Sequence, residues 1–157
     1  MAPWLLNSLI VLISFVLMEC VAWLAHKYLM HGKLWLLHYD HHQRDDQQFF
    51  EKNDFFFLIF ATPGILCLLF GLAYPPKAIF WIGIGITLYG FTYFLIHDIF
   101  IHQRFSIFKN SDSVYLRAIR KAHKVHHKKI TRLEVECFGM LWVPLKYFKE
   151  AAKSKTK

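Results

Sequence analysis

Cysteine is scarce. There are three in 157 residues, Cys20, Cys67 and Cys137. No two are spaced as a thiolate metal site or an iron–sulfur cluster requires, and a disulfide framework is excluded with them. Charge is sparse as well, at 19% of residues, against 55% hydrophobic. A disordered chain has the opposite balance. The charges that exist avoid three stretches: residues 55–74 and 78–96 contain no Asp, Glu, Lys or Arg, and residues 4–25 contain only Glu19. The 19 Lys and Arg outnumber the 11 acids. A nucleic-acid-binding domain would spread such an excess over a soluble surface. Its confinement between apolar stretches argues against a nucleic-acid partner and for a membrane.

Each stretch has about 20 residues, enough for an α-helix to cross roughly 30 Å of hydrocarbon. Inside lipid the backbone must satisfy its own hydrogen bonds, so each should be a helix. The expected fold is all-α, a single integral membrane domain over residues 1–157 with three transmembrane helices. No Lys or Arg precedes the first stretch, which is also longer than the apolar core of a signal peptide, so no cleavage is expected. Asn53 and Asp54 are placed to cap the second helix. Residues 75–77 allow only a tight turn, so the second and third helices form a hairpin. Gly83, Thr87 and Gly90 share one stripe, where small side chains admit a neighbouring helix. Among the bases only Lys77 lies in the hairpin turn; the other 18 follow the first or the third stretch. The positive-inside rule makes that side cytoplasmic and leaves the N-terminus outside. Residues 137–143 are apolar but too short to span, and 145–152 are basic and aromatic. The tail 133–157 is expected as a fourth membrane-associated piece, interfacial or re-entrant.

All ten His fall into four clusters. His26 and His31 form H-x4-H. His38, His41 and His42 form H-x2-H-H. His97 and His102 repeat the first spacing, and His123, His126 and His127 repeat the second. The pairs begin where the first and third helices leave the membrane, and three crossings bring both exits to one face. In H-x2-H-H the members i, i+3 and i+4 project from one helical face. In H-x4-H the members stand about 140° apart on an α-helix, so they bracket a site or serve two metals. Four clusters at two repeated spacings indicate metal. Imidazole suits Zn, Cu, Fe and Ni alike. Haem ligands would lie deep within the spans. A transporter would need ligands along a crossing path, and only Glu19 lies inside a span.

The stretches AHKYLMHG (25–32), YGFTYFLIHDIFIHQR (89–104) and AHKVHH (122–127) resemble those of the membrane-bound non-haem di-iron hydroxylases and desaturases. Among these they look like the short bacterial β-carotene hydroxylases, with the likeness running from Trp4 past Cys137. The resemblance implies two irons held by the ten His, O2 as oxidant and an external donor of electrons such as ferredoxin with its reductase. It implies hydroxylation at C3 of β-ionone rings, from β-carotene through β-cryptoxanthin to zeaxanthin. The segment LEVECFG (133–139) departs from the pattern in being more acidic. A lipid desaturase, a carotenoid ketolase and a non-catalytic metal-binding or transport protein are the competing readings.

Metal-bound imidazole is neutral at the ligating nitrogen, and its other N–H needs an acceptor. Asp98, beside His97, Asp40, between His38 and His41, and Glu19 are the candidates, Glu19 being equally readable as a packing-related polar contact. A stiff apolar polyene would enter sideways from lipid, with Phe91, Tyr93 and Phe94 lining its slot. The basic face of Lys121, Lys124, Lys128, Lys129 and Arg132 suits anionic lipid or an acidic ferredoxin.

Overall fold

A computed structural model of the chain describes residues 2–43, 50–105, 107, 110–128 and 136–153. Among these there is no strand. The α-helices are α1 (Pro3–Leu24), α2 (Trp35–His42), α3 (Phe55–Ala73), α4 (Ala78–Tyr93), α5 (Val114–His127) and α6 (Leu145–Lys153). Three helical stretches are long and apolar enough to cross a membrane: Pro3–Lys33, Lys52–Ala73 and Ala78–Ile101. Most of their large apolar side chains face outward, such as Leu12, Phe57 and Leu69. Such an outward-facing apolar surface is stable against lipid tails and would be costly against water.

Without a hydrophobic drive between helices in lipid, close backbone approach supplies the packing. α4 is the central helix, touching both α1 and α3. Gly83 fulfils the expected role: a Cβ there would meet the Leu68 backbone nitrogen of α3 at 2.8 Å. Gly90 does not, because nothing lies within 4 Å of a Cβ at that position. The contact with α1 instead runs through Gly85, where a Cβ would stand 2.6 Å from the Ser14 Cβ and 2.7 Å from the Val11 carbonyl oxygen.

Asp54 joins a capping box with Glu51 on the single turn Lys52–Asp54 that leads into α3, its carboxylate accepting from the Glu51 N–H at 3.0 Å, whereas Asn53 makes no cap through its side chain. Both have other partners, described below. α5 is capped by Ser113, whose hydroxyl accepts from the Leu116 N–H at 3.4 Å. Its apolar face, Ala118 and Ala122, packs on Tyr147 and Ala151 of α6. Residues 136–144, between the two helices' sequence regions, are irregular and return to α1.

Candidate metal centre

α1 does not stop at Leu24. Its backbone continues from Ala25 with the wider π-type turn and kinks at Gly32, whose φ of −106° and ψ of −119° are not helical, and α4 continues with the same wide turn through Phe94–Ile101. A π turn joins each N–H to the carbonyl five residues back. The His102 N–H donates to the His97 carbonyl at 2.8 Å, so this register closes across the H-x4-H pair itself. The ring centroids of His97 and His102 are 4.5 Å apart, and those of His26 and His31 are 5.1 Å apart. Of the two expectations for such a pair, this excludes service to two metals: both members lie in one group. The π turn stacks i+5 over i and turns both rings to one point.

The imidazoles gather into two groups. His26, His31, His38, His42 and His126 form one, and His41, His97, His102 and His123 form the other; within each group the candidate ligand atoms lie within 4.8 Å of one another. His127 adjoins the second group. Its ring centroid is 4.5 Å from His123, 4.7 Å from His41 and 4.9 Å from His102. Its buried Nε2 has no hydrogen-bond partner among the described residues. The triples therefore do not act as units, as one shared helical face would suggest. His38 and His42 serve one group while His41, between them, serves the other; His123 and His127 sit with the second group while His126 serves the first. Each group combines one H-x4-H pair, the i and i+4 members of the triple that follows it, and the i+3 member of the other triple. His42 and His127, equivalent under this exchange, stack at 4.6 Å with 13° between their planes.

Four of the ring nitrogens facing away from the groups have hydrogen-bond partners. His26 Nδ1 donates to the Phe138 carbonyl at 2.9 Å, and His126 Nδ1 to the Glu136 carbonyl at 3.0 Å. His38 Nδ1 donates to Asn53 Oδ1 at 2.7 Å, and His41 Nδ1 to a Glu51 carboxylate oxygen at 2.6 Å. Burial keeps these rings neutral. It lowers His38 to about 3, with neighbouring imidazoles adding to the effect and Asn53 opposing it. Burial is also the largest cause holding His41, His123, His126 and His127 far below the ordinary value.

With its one proton committed at Nδ1, a neutral imidazole presents a bare lone pair at Nε2. His26 Nε2 and His38 Nε2 nevertheless face each other at 3.1 Å, and neither has a proton to share. Other inward Nε2 pairs are as close: His31 with His126 at 3.2 Å, His38 with His42 at 3.2 Å, His41 with His97 at 3.2 Å and His102 with His123 at 2.8 Å. Adjacent ligands on one metal, each about 2.1 Å from it, stand about 3.0 Å apart at right angles and about 3.4 Å apart in a tetrahedron. The residues therefore fit two cations, one per group.

The expected acceptors are only partly where the sequence suggests. Asp98 Oδ1 lies 3.5 Å from His97 Nδ1 and 3.3 Å from Arg104 Nε. Asp40 faces the loop, accepting from the Lys52 N–H at 2.8 Å. Glu19 is buried, and its described partners are Tyr89 and the N–H groups of residues 140–142 rather than an imidazole. Sequence reasoning missed Glu51 and Asn53, which return from the loop after α2. It also missed Arg104, which joins Glu51 at 3.3 Å and Asp54 at 2.7 Å. The HQR triplet at 102–104 held the signal for Arg104. The two backbone carbonyls had none.

Of the slot residues, Tyr93 stacks on His97 at 4.6 Å, Phe94 packs against Phe105, and Phe91 is 59% exposed on the outer face. An open apolar groove of about 400 Å³ lies along α1, lined by Glu19, Cys20, Trp23, Leu24 and Trp142. Lys121 of the basic face pairs with Glu150 at 2.6 Å, Lys124 and Lys128 are exposed, and Lys129 and Arg132 lie outside the described residues.

Membrane-length helices with two imidazole groups at their common end define a helical membrane protein able to hold metal. The fatty acid hydroxylase family matches the chain over residues 11–145. The chain is 38% identical over 143 residues to a β-carotene hydroxylase of Pantoea ananas, covering 90% of this chain and 79% of that one. It is 35% identical over 139 residues to one from Paracoccus sp. (strain N81106 / MBIC 01143), covering 88% and 85%. It is 38% identical over 113 residues to the chloroplastic β-carotene 3-hydroxylase 1 of Arabidopsis thaliana, covering 70% and 36%. No solved structure matches. The chain belongs to the fatty acid hydroxylase family and is a hydroxylase.

Proposed function

We propose that the protein is a non-haem di-iron monooxygenase that hydroxylates the β-ionone rings of carotenoids at C3, converting β-carotene through β-cryptoxanthin to zeaxanthin. The names of its relatives support the substrate. The observation that carries the metal is the approach of His26 Nε2 and His38 Nε2 to 3.1 Å while the Nδ1 atom of each ring faces an outward oxygen acceptor, an arrangement that turns two lone pairs to one point. Iron held there supplies the redox chemistry for inserting one atom of O2 into an unactivated C–H bond, with two external electrons and two protons giving alcohol and water; redox-inert zinc supplies none of this.

The chain's own task is to hold, orient and exclude. Ten His are the ligand set, His127 completing the second group to five. Phe138, Asn53, Glu51 and Glu136 fix which nitrogen of four rings points inward. The polyene enters from the bilayer, and Tyr93, lying flat on His97, is the slot residue nearest the second group. The His groups face the cytoplasm and the N-terminus lies outside. Exposed Lys124 and Lys128 meet an acidic ferredoxin-type donor, so salt slows donor-supported turnover and leaves turnover with a small reductant unchanged.

The test supplies purified protein with iron, O2, reductant and β-carotene, and reads product masses. Gain of one and then two oxygen atoms as C3 alcohols is the expected result. A new double bond or a keto group would replace this reading with desaturation or ketolation, and no O2-dependent product would end it.

A further inference from the structure

Glu19 is the only charged residue in the first apolar stretch, and its side chain is buried. A carboxylate at that depth is costly unless donors surround it. Here there are four. Glu19 Oε1 accepts from the N–H groups of Met140 at 2.9 Å, Leu141 at 2.8 Å and Trp142 at 3.1 Å. Glu19 Oε2 accepts from the Tyr89 hydroxyl of α4 at 2.8 Å. One side chain thus ties together α1, α4 and a segment more than a hundred residues further along the chain.

The backbone around it is shaped to this contact. A Cβ on Gly139 would stand 2.6 Å from the Trp142 carbonyl oxygen and 3.1 Å from Glu19 Oε1, so only glycine lets the turn close over the carboxylate. Cys137 has φ of 67°, in the left-handed region that a β-carbon disfavours. A strained residue persists where its surroundings over-determine it. Immediately before the anchored amides come the two carbonyls that orient imidazoles: Phe138 to His26 and Glu136 to His126. The Phe138 ring also packs on His26, His31 and His126, with centroids 5.6, 5.3 and 5.6 Å away. His26, His31 and His126 all belong to the first group, whereas in the second His41 donates to Glu51 and His97 faces Asp98.

We propose that Glu19 is a positioning residue for the first group alone, that of His26, His31, His38, His42 and His126: it clamps residues 140–142 so that the carbonyls of Phe138 and Glu136 hold His26 and His126 in their ligating orientation. It touches no ligand; it acts through the clamped turn. This rests on the di-metal reading, and its test separates the two.

The experiment compares wild type with Glu19→Ala, Glu19→Gln and Gly139→Ala in the full chain, in detergent. Two readouts are used: amide exchange of residues 138–142, and iron per chain with the Mössbauer signal of each site. Glu19→Ala should speed exchange in that segment by about tenfold or more and remove iron from one site while the other keeps its spectrum. Glu19→Gln, which still offers an acceptor oxygen, should restore most of the lost iron. Gly139→Ala, which pushes the turn off an intact carboxylate, should reproduce the Glu19→Ala pattern and serves if that variant fails to fold. Unchanged exchange overturns the clamp, and equal loss from both sites overturns the selectivity. Wild type without two metal ions would refute the di-metal reading, and the exchange arm would still decide the clamp.

Discussion

A Glu51 carboxylate oxygen accepts from His41 Nδ1 at 2.6 Å while Arg104 approaches the same oxygen at 3.3 Å. Burial pushes the Glu51 carboxyl up and Arg104 opposes it. The anion makes His41 a stronger donor at Nε2 and locks its ring. Glu51→Gln keeps an acceptor but removes the charge. It should lower metal affinity at the second group by about 10–100-fold. Competition with a chelator, read as iron retained per chain, checks this; unchanged retention would leave Glu51 without the role.

Helix packing gives a paired prediction. Gly85→Leu drives a side chain into Ser14 and the Val11 carbonyl, and overpacking of this kind costs about 1–3 kcal/mol. Gly90→Ala meets nothing within 4 Å and gains helix propensity of up to about 1 kcal/mol. Thermal unfolding in detergent should show a lower Tm for the first and an unchanged or higher Tm for the second.

Sidedness follows from the three crossings. In a cysteine-free background, Lys77→Cys in the hairpin turn should react with a membrane-impermeant maleimide in intact cells, and Lys128→Cys at the end of α5 should react only after lysis. Labelling of both positions in intact cells would break the three-crossing topology.

The sequence carried the helices well, because lipid removes competing structures: a long stretch without charge has no other stable form there. The four His clusters were legible in it too. It did not carry the way they divide. That division depends on the π-type turns at Ala25–Lys33 and Phe94–Ile101, which an α-helical reading of H-x4-H rotates out of alignment. Nor did it carry the outer partners. Asn53 and Asp54 resemble helix caps locally, and only the return of the loop onto α2 brings Asn53 to His38 and its neighbour Glu51 to His41. The carbonyls of Glu136 and Phe138 are invisible to any reading of side-chain types. Glu19 was legible as an anomaly, a lone carboxylate in an apolar stretch, but its partners are backbone amides of the far end of the chain.

On the proposed function, ten imidazoles would hold two iron ions in two separable groups. Metal analysis of active protein, alongside His42→Ala from the first group and His102→Ala from the second, tests it most directly. About two irons per chain are expected in wild type and about one in each variant, with a different site emptied in each. Active wild type that holds only zinc, or no more than one ion, would contradict it.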